Sequence, residues 1–230
     1  MELHEALRAT GAVREFTDEP VDDATLARIL DTARFAPSGG NRQAWHVVVV
    51  KDAGIRRGLR EAYLPVWYDY LAISAAGMVP FAPVTDRDAE RSAVEASAAS
   101  IAADAAADPG GFAEHFDEVP VLLAVLADLR ALAAVDRDLG RYTLAGGASI
   151  YPFVWSLLLA ARDEGLGGVV TTMVIRREPE VRALLGVPDE MAIAAVVAMG
   201  HPVRQPTRLR RRSIADFTTV DRVDGSPFDG

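Results

Sequence analysis

The chain has 230 residues, half of them apolar and a quarter charged, a length and balance that suit one generous soluble domain with a substantial core. A net charge of −9 argues against broad nucleic-acid or membrane binding. The absence of cysteine excludes disulfides, thiolate nucleophiles and iron–sulfur or cysteine-zinc ligation. No run reaches the ~20 apolar residues of a membrane span, and the acidic start Met1-Glu2-Leu3-His4-Glu5 has no apolar signal core. The expectation is therefore a cytoplasmic protein.

Taken in order, residues 2–9 predict a short helix with Leu3, Ala6 and Leu7 on one face. Asp22 or Asp23 caps a second helix carrying Leu26, Ile29, Leu30 and Ala33 at helical spacing. Pro37 ends it, and Ser38-Gly39-Gly40-Asn41 follows as a loop of small residues able to lay backbone N–H groups against a ligand. By itself this loop reads equally well as a plain surface turn. Val47 to Val50 is apolar on both faces and predicts a strand in the middle of a sheet.

Ala53 to Tyr63 and Val66 to Ala76 read as two helices. Tyr63, Trp67, Tyr68 and Tyr70 gather there, as core or subunit contacts or as a substrate lid. The alanine-rich stretch Asp88 to Ala107 predicts an exposed helix or an excursion closed by Pro109-Gly110-Gly111. Pro120 to Leu126 is a second apolar β run, and Ala131 to Leu139 a short charged helix. Ser149 to Glu164 is apolar almost all round, so it predicts a helix buried inside the fold or between two subunits, with Pro152 in its first turn and Gly165 after its last. Gly168 to Val174 and Ala192 to Met199 supply two more strands, with a helix over Glu178 to Leu185 between them. The tail from 200 to 230 holds Arg204, Arg208, Arg210, Arg211 and Arg212 and shows no periodicity. Neither repeats nor linkers divide the chain, so the expectation is one domain over 1–230, α+β or α/β, around one sheet.

His4, His46, His115 and His201 lack ligand spacing, so no metal is expected, and neither a dinucleotide fingerprint nor a P-loop is present. Arg14 alone reads as a surface arginine paired with Asp22 or Glu19. Four stretches change that reading when taken together: T-G-A-V-R-E-F at 10–16, A-P-S-G-G-N-R-Q-A-W at 36–45, G-L-G-G-V-V-T-T at 165–172, and R-L-R-R-R-S at 208–213.

In this order and spacing the chain resembles the FMN-dependent nitroreductase family, which includes flavin reductases and iodotyrosine deiodinases. The resemblance implies an α+β fold, a three-layer α/β/α sandwich with a central mixed sheet, assembled as an intertwined homodimer with FMN between the chains. It implies cofactor contacts at Thr10, Gly11, Ala12, Val13 and Arg14, with Arg14 on the pyrimidine side. It places Val170, Thr171 and Thr172 along the far edge, Arg210 and Arg211 at the phosphate, and Ser38, Gly39 and Asn41 closing the site from the other subunit. Residues 63–118 become a variable lid and 200–230 a C-terminal extension around the partner.

The first motif departs from the family's usual R-R-S-x-R-x-F, because Thr10, Gly11 and Ala12 stand where two arginines and a serine are common. Arg8 or the arginines at 208–212 would then supply the missing phosphate contacts. The implied activity is transfer of reducing equivalents from NADH or NADPH to a nitroaromatic, quinone or similar flat electrophile. The cofactor carries the electrons, so no catalytic side-chain constellation is required. Reductive dehalogenation and non-catalytic binding of FMN or another phosphorylated ligand stand as alternatives.

Overall fold

The computed structural model describes residues 1–228. Helices α1 (Leu3–Ala9) and α2 (Asp23–Ala33) lead to strand β1 (Trp45–Val49). Helices α3 (Ala53–Ala75) and α4 (Arg87–Ala107) precede β2 (Val121–Asp128). Helix α5 (Tyr151–Asp163), β3 (Gly167–Thr171), α6 (Glu178–Leu185) and β4 (Met191–Gly200) complete the order. The last two tail positions of the 200–230 expectation lie outside the described residues.

The strands form one sheet in the order β1-β2-β4-β3. Among the described residues every ladder is antiparallel, and the parallel component anticipated for a mixed sheet is reduced to one isolated bridge between Ala12 and Gly168. β2 and β4 lie in the centre and read as unbroken apolar runs because both faces are covered. On one face Leu123, Val125 and Val197 pack against Ile29 of α2 and Phe153 and Leu157 of α5. On the other, Leu122, Ala124 and Val196 meet Leu59 and Tyr63 of α3 and Val181 of α6. This is the three-layer sandwich. Alternation along a central strand sends neighbouring side chains to opposite cores, so one β2 segment serves both.

Local chemistry explains most boundaries. The Asp22 carboxylate accepts from the Thr25 amide at 2.6 Å and starts α2. Gly165 and Gly186 follow α5 and α6 with φ of +81° and +65°, a left-handed exit that a β-carbon would strain.

Several expectations are corrected. The strand around Val47 to Val50 is an edge strand, with only β2 beside it among the described residues. Its apolar residues register two covered faces and carry no information about neighbours on two edges. The two helices expected across 53–76 are one helix, with Pro65 inside it. Pro65 removes the N–H that the Glu61 carbonyl would accept, but both residues are exposed, so water replaces the lost bond. Ala131 to Leu139 is a series of turns. The buried Asp136 carboxylate there accepts from the amides of Leu144 and Ala145 and from Arg141, which holds the chain folded back instead of helical. The strand expected to reach Val174 stops at Thr171, where a 3-10 turn over Met173–Arg177 begins. Of the two alternatives for α5, burial wholly inside the fold does not hold, since Tyr151 and Trp155 are 46% and 39% exposed in the single chain. The alanine-rich segment is a helix capped by Asp86, lying on α3 with no buried residue.

Candidate active site

Behind α1 the chain runs as an extended strip along the outer edge of β3. The Val13 amide donates to the Gly168 carbonyl at 3.0 Å, the Thr17 amide to His201 at 2.8 Å, and the Val203 amide to Glu15 at 3.0 Å. The strip is thus clamped on two sides, and Arg14 stands exposed on it. Gly167 makes the approach possible, because a Cβ there would meet Val13 Cγ2 at 2.7 Å.

The tail crosses the same strip. The Leu209 amide donates to the Arg8 carbonyl at 3.1 Å, and Leu209 and Pro206 close over Gly11. A Cβ at Gly11 would lie 2.8 Å from Leu209 Cδ2, so the space of a larger side chain at position 11 is occupied by the tail. The same crossing brings the arginine-rich segment beside the end of α1. Among the described residues, Arg8, Arg14, Arg208, Arg210, Arg211 and Arg212 have no carboxylate within salt-bridge distance. The anticipated pairing of Arg14 with Asp22 or Glu19 does not form; Asp22 caps α2 and Glu19 lies 3.7 Å from His201.

Thr10 is 7% exposed, and its hydroxyl oxygen is buried with no hydrogen-bond partner. Such an orphan costs about 1–3 kcal/mol. Guanidiniums without carboxylate partners on the strip, on α1 and on the tail that crosses them, together with an unsatisfied hydroxyl at Thr10, are the donor set that a phosphorylated, oxygen-rich ligand requires, so the residues fit FMN.

Arg14 and Tyr63 line one cavity, and Thr171 lies close to the Tyr63 phenol. Burial pushes the Tyr63 phenol above its usual range, against the Thr171 hydroxyl and the Arg14 charge. The Thr171 hydroxyl also accepts from the Met173 amide at 3.4 Å. Val170 and Thr172 flank Thr171 and are exposed. A cavity of about 830 Å³ opens above, walled by Arg14, Phe16, Tyr63, Trp67, Phe112 and Glu114. Tyr63 stacks on Phe116 at 4.7 Å and Trp67 on Tyr70 at 5.2 Å. The aromatic group of α3 is therefore core and cavity wall together, and residues 63–118 furnish the wall opposite Arg14. Phe112 and Glu114 were not singled out from sequence. Only their position just after the Gly110-Gly111 break signals a loop that folds inward.

The Ser38 loop lies elsewhere. The Ser38 hydroxyl accepts from the Gln43 amide at 2.9 Å, and the Gly39 amide donates to the buried Ser149 hydroxyl at 3.0 Å. Asn41 is exposed with φ of +53°. Among the described residues, no hydrogen bond joins Ser38, Gly39 or Asn41 to the strip at 10–14 within one chain. Arg210 and Arg211 are exposed, and the Arg211 guanidinium donates to the Arg210 carbonyl at 2.7 Å. No cluster of metal-ligating side chains occurs among the described residues.

The model of the Nitroreductase family matches residues 7–201. An NADH dehydrogenase of Thermus thermophilus is 31% identical over 195 residues, 84% of this chain and 83% of that protein. A 5,6-dimethylbenzimidazole synthase of Rhodospirillum rubrum is 32% identical over 221 residues, 91% of this chain and 89% of that one. Among solved structures, a variant of an FMN and NADPH-dependent nitroreductase from sphigopyxis sp. strain HMH superposes with a TM-score of 0.65 at 27% identity, covering 96% and 100% of the two chains.

Proposed function

The chain belongs to the Nitroreductase family, and from that premise we propose that it is an FMN-dependent oxidoreductase. It would move reducing equivalents from NADH or NADPH to a nitroaromatic, quinone or similar flat electrophile. The observation that carries this reading is the cavity walled by Arg14, Phe16, Tyr63, Trp67 and Phe112, with Arg14 standing on the clamped strip and lacking a carboxylate partner among the described residues.

FMN held there supplies two-electron redox chemistry between the nicotinamide donor and the acceptor. The Arg14 charge, carried on a strip whose backbone is clamped, favours electron density developing on a ring beside it. Arg210 and Arg211 present planar donors for the phosphate, with Arg8 and Arg208 brought close by the Leu209–Arg8 bond in place of the arginines absent at 10 and 11. Thr10 offers its orphaned hydroxyl, and Gly11, Ala12 and Val13 offer backbone. Val170 and Thr172 continue the floor past Thr171. Tyr63, Trp67 and Phe112 keep bulk water from the face where a flat substrate stacks.

Ser38, Gly39 and Asn41 would come from a second copy of the chain, completing the site. The exposed Tyr151 and Trp155 of α5, Leu3 and Leu7 of α1 and Phe35 after α2 supply apolar surface for that homodimer. The most direct assay is anaerobic oxidation of NADH or NADPH with menadione or a nitroarene as acceptor. Turnover that falls at least about tenfold in Arg14→Ala supports the reading; wild-type protein that retains FMN yet turns over no acceptor favours the non-catalytic alternative.

A second reading keeps the cofactor and narrows the substrate. The wall supplied by residues 63–118 favours one defined substrate and a specialised reaction such as reductive dehalogenation. Release of halide from a halogenated phenol at rates exceeding quinone reduction would select it.

A further inference from the structure

Charge is unevenly distributed around the cavity that Arg14 faces. Arg14 is the single guanidinium among the described residues of its wall, against the carboxylates of Glu15, Asp18, Glu114 and Glu118. Glu118 is taken by His115, whose Nδ1 lies 3.0 Å away, and Arg60 of α3 pairs with Asp117 at 3.3 Å. Glu15 and Asp18 are exposed, where water solvates them. Glu114 differs. It is half-buried, and among the described residues no cation stands within salt-bridge distance of it.

The Glu114 carboxylate is nonetheless held in place. The Tyr68 phenol donates to its Oε1 at 3.1 Å. Its Oε2 rests where a side chain at position 111 would go, since a Cβ on Gly111 would collide with it. Glycine at 111 therefore leaves the room that this orientation needs. Among the described residues Tyr68 is the one hydrogen-bond donor to the carboxylate, and Oε2 accepts none. A half-buried carboxylate with an oxygen to spare gains most from a cationic donor.

Aromatic rings complete its surroundings. Tyr63, Trp67 and Phe112 share the wall with Glu114. The Tyr63 ring meets Trp67 at 6.3 Å, tilted by 34°, and Phe112 at 6.3 Å, edge-on at 85°. The face of an aromatic ring attracts a cation, and a carboxylate beside it adds to that field and repels an anion. The Tyr63 phenol lies in the fields of both Arg14 and Glu114, which act on it in opposite directions.

We propose that Glu114 and the rings beside it select acceptors that carry a protonated amine, so that the substrate is a flat electrophile with a cationic substituent. Glu114 accepts from the ammonium while Trp67 and Phe112 cover its apolar flank. Arg14, the single guanidinium of the wall, serves the flavin in the functional reading above, so the wall offers no second arginine to a carboxylate and anionic acceptors are disfavoured. The inference rests on that reading for the reaction, and on the cavity alone for the preference in charge.

The test uses three probes of nearly equal shape on the purified full chain: 4-nitrobenzylamine, 4-nitrobenzyl alcohol and 4-nitrobenzoate. Calorimetric titration should rank them in that order, with the amine at least about tenfold tighter than the benzoate. The values of kcat/KM should follow the same order, through KM. Glu114→Gln keeps an acceptor for Tyr68 and should reduce the ratio of amine to alcohol to near one, with circular dichroism and FMN content unchanged. Gly111→Ala keeps every charge but displaces Oε2, and should lower the same ratio. Equal binding of the three probes by the wild type, tighter binding of the benzoate, or a ratio that survives in Glu114→Gln overturns the proposal. Preferential binding of the amine, lost in Glu114→Gln, by a protein that reduces none of the probes supports the charge selection and removes the oxidoreductase reading instead.

Discussion

Val13 and Gly167 share a contact with no room for another atom: a Cβ on Gly167 would stand 2.7, 2.9 and 3.0 Å from three atoms of the Val13 side chain. The Arg14 strip keeps its distance from β3 by this fit. Val13 is β-branched and stiff about χ1, so it cannot turn away cheaply. Gly167→Ala should destabilise the protein by about 1–3 kcal/mol in urea unfolding. Val13→Ala placed on top should recover part of the loss, and strict additivity of the two changes would show that the contact does not govern the strip.

Asp136 anchors the turn that replaces the expected helix. Hydrogen bonds from the Leu144 amide first, then from Arg141 and the Ala145 amide, pull its carboxyl down to about 2 from 3.8. A depressed carboxyl contributes stability above its unfolded value and loses it as pH falls through its folded value. Urea midpoints should therefore drop between about pH 4 and pH 2 in the wild type, and this acid slope should flatten in Asp136→Asn. An identical slope in the variant would assign acid sensitivity to other carboxylates.

His115 predicts the opposite pH direction. Its Nε2 lies 2.5 Å from the Pro109 carbonyl and its Nδ1 3.0 Å from Glu118, two acceptors that only the doubly protonated ring can satisfy. The Pro109 carbonyl first, then Glu118, with Glu114 adding to the field, raises its pKa above the ordinary value. A raised histidine contributes fully below its unfolded value of about 6.5 and loses that contribution as pH rises through the folded value. The ring should titrate above 6.5 by NMR, and amide exchange over residues 110–112 should accelerate above that midpoint. A midpoint at or below 6.5 would contradict the clasp.

The phosphate assignment is open to a single substitution. Arg211→Ala should fold normally and lose FMN on dilution, with affinity weaker by roughly 10–100-fold for one charge-assisted pair. Unchanged flavin occupancy would move the phosphate to Arg8 or Arg208. A shared site also requires two chains, so sedimentation should show a dimer at low micromolar concentration. A monomer that retains FMN would refute the contribution of Ser38, Gly39 and Asn41 from a second copy.

Much of this architecture was legible because it is written in local chemistry. Asp22 caps α2, Gly165 and Gly186 end α5 and α6, and the apolar runs of β2 and β4 announce a sheet covered on both faces. What failed was decided over longer range. The edge position of β1 depends on which strands pair, and the passage of α3 through Pro65 depends on the exposure of Glu61. The turns at 131–139 depend on amides several residues further along the chain. In the candidate site, Arg14 and Thr171 were legible through motif order. The closure of Leu209 over Gly11 and the inward fold of Phe112 were not, since both are contacts between segments far apart in sequence.

The visible absorption spectrum of the purified protein, recorded without oxygen before and after NADPH, tests the central claim most directly. The account predicts a flavin spectrum that bleaches on addition of the donor. A colourless protein that also fails to take up added FMN would contradict it, and would mean that Thr10, Gly11 and Ala12 have removed the cofactor from this chain.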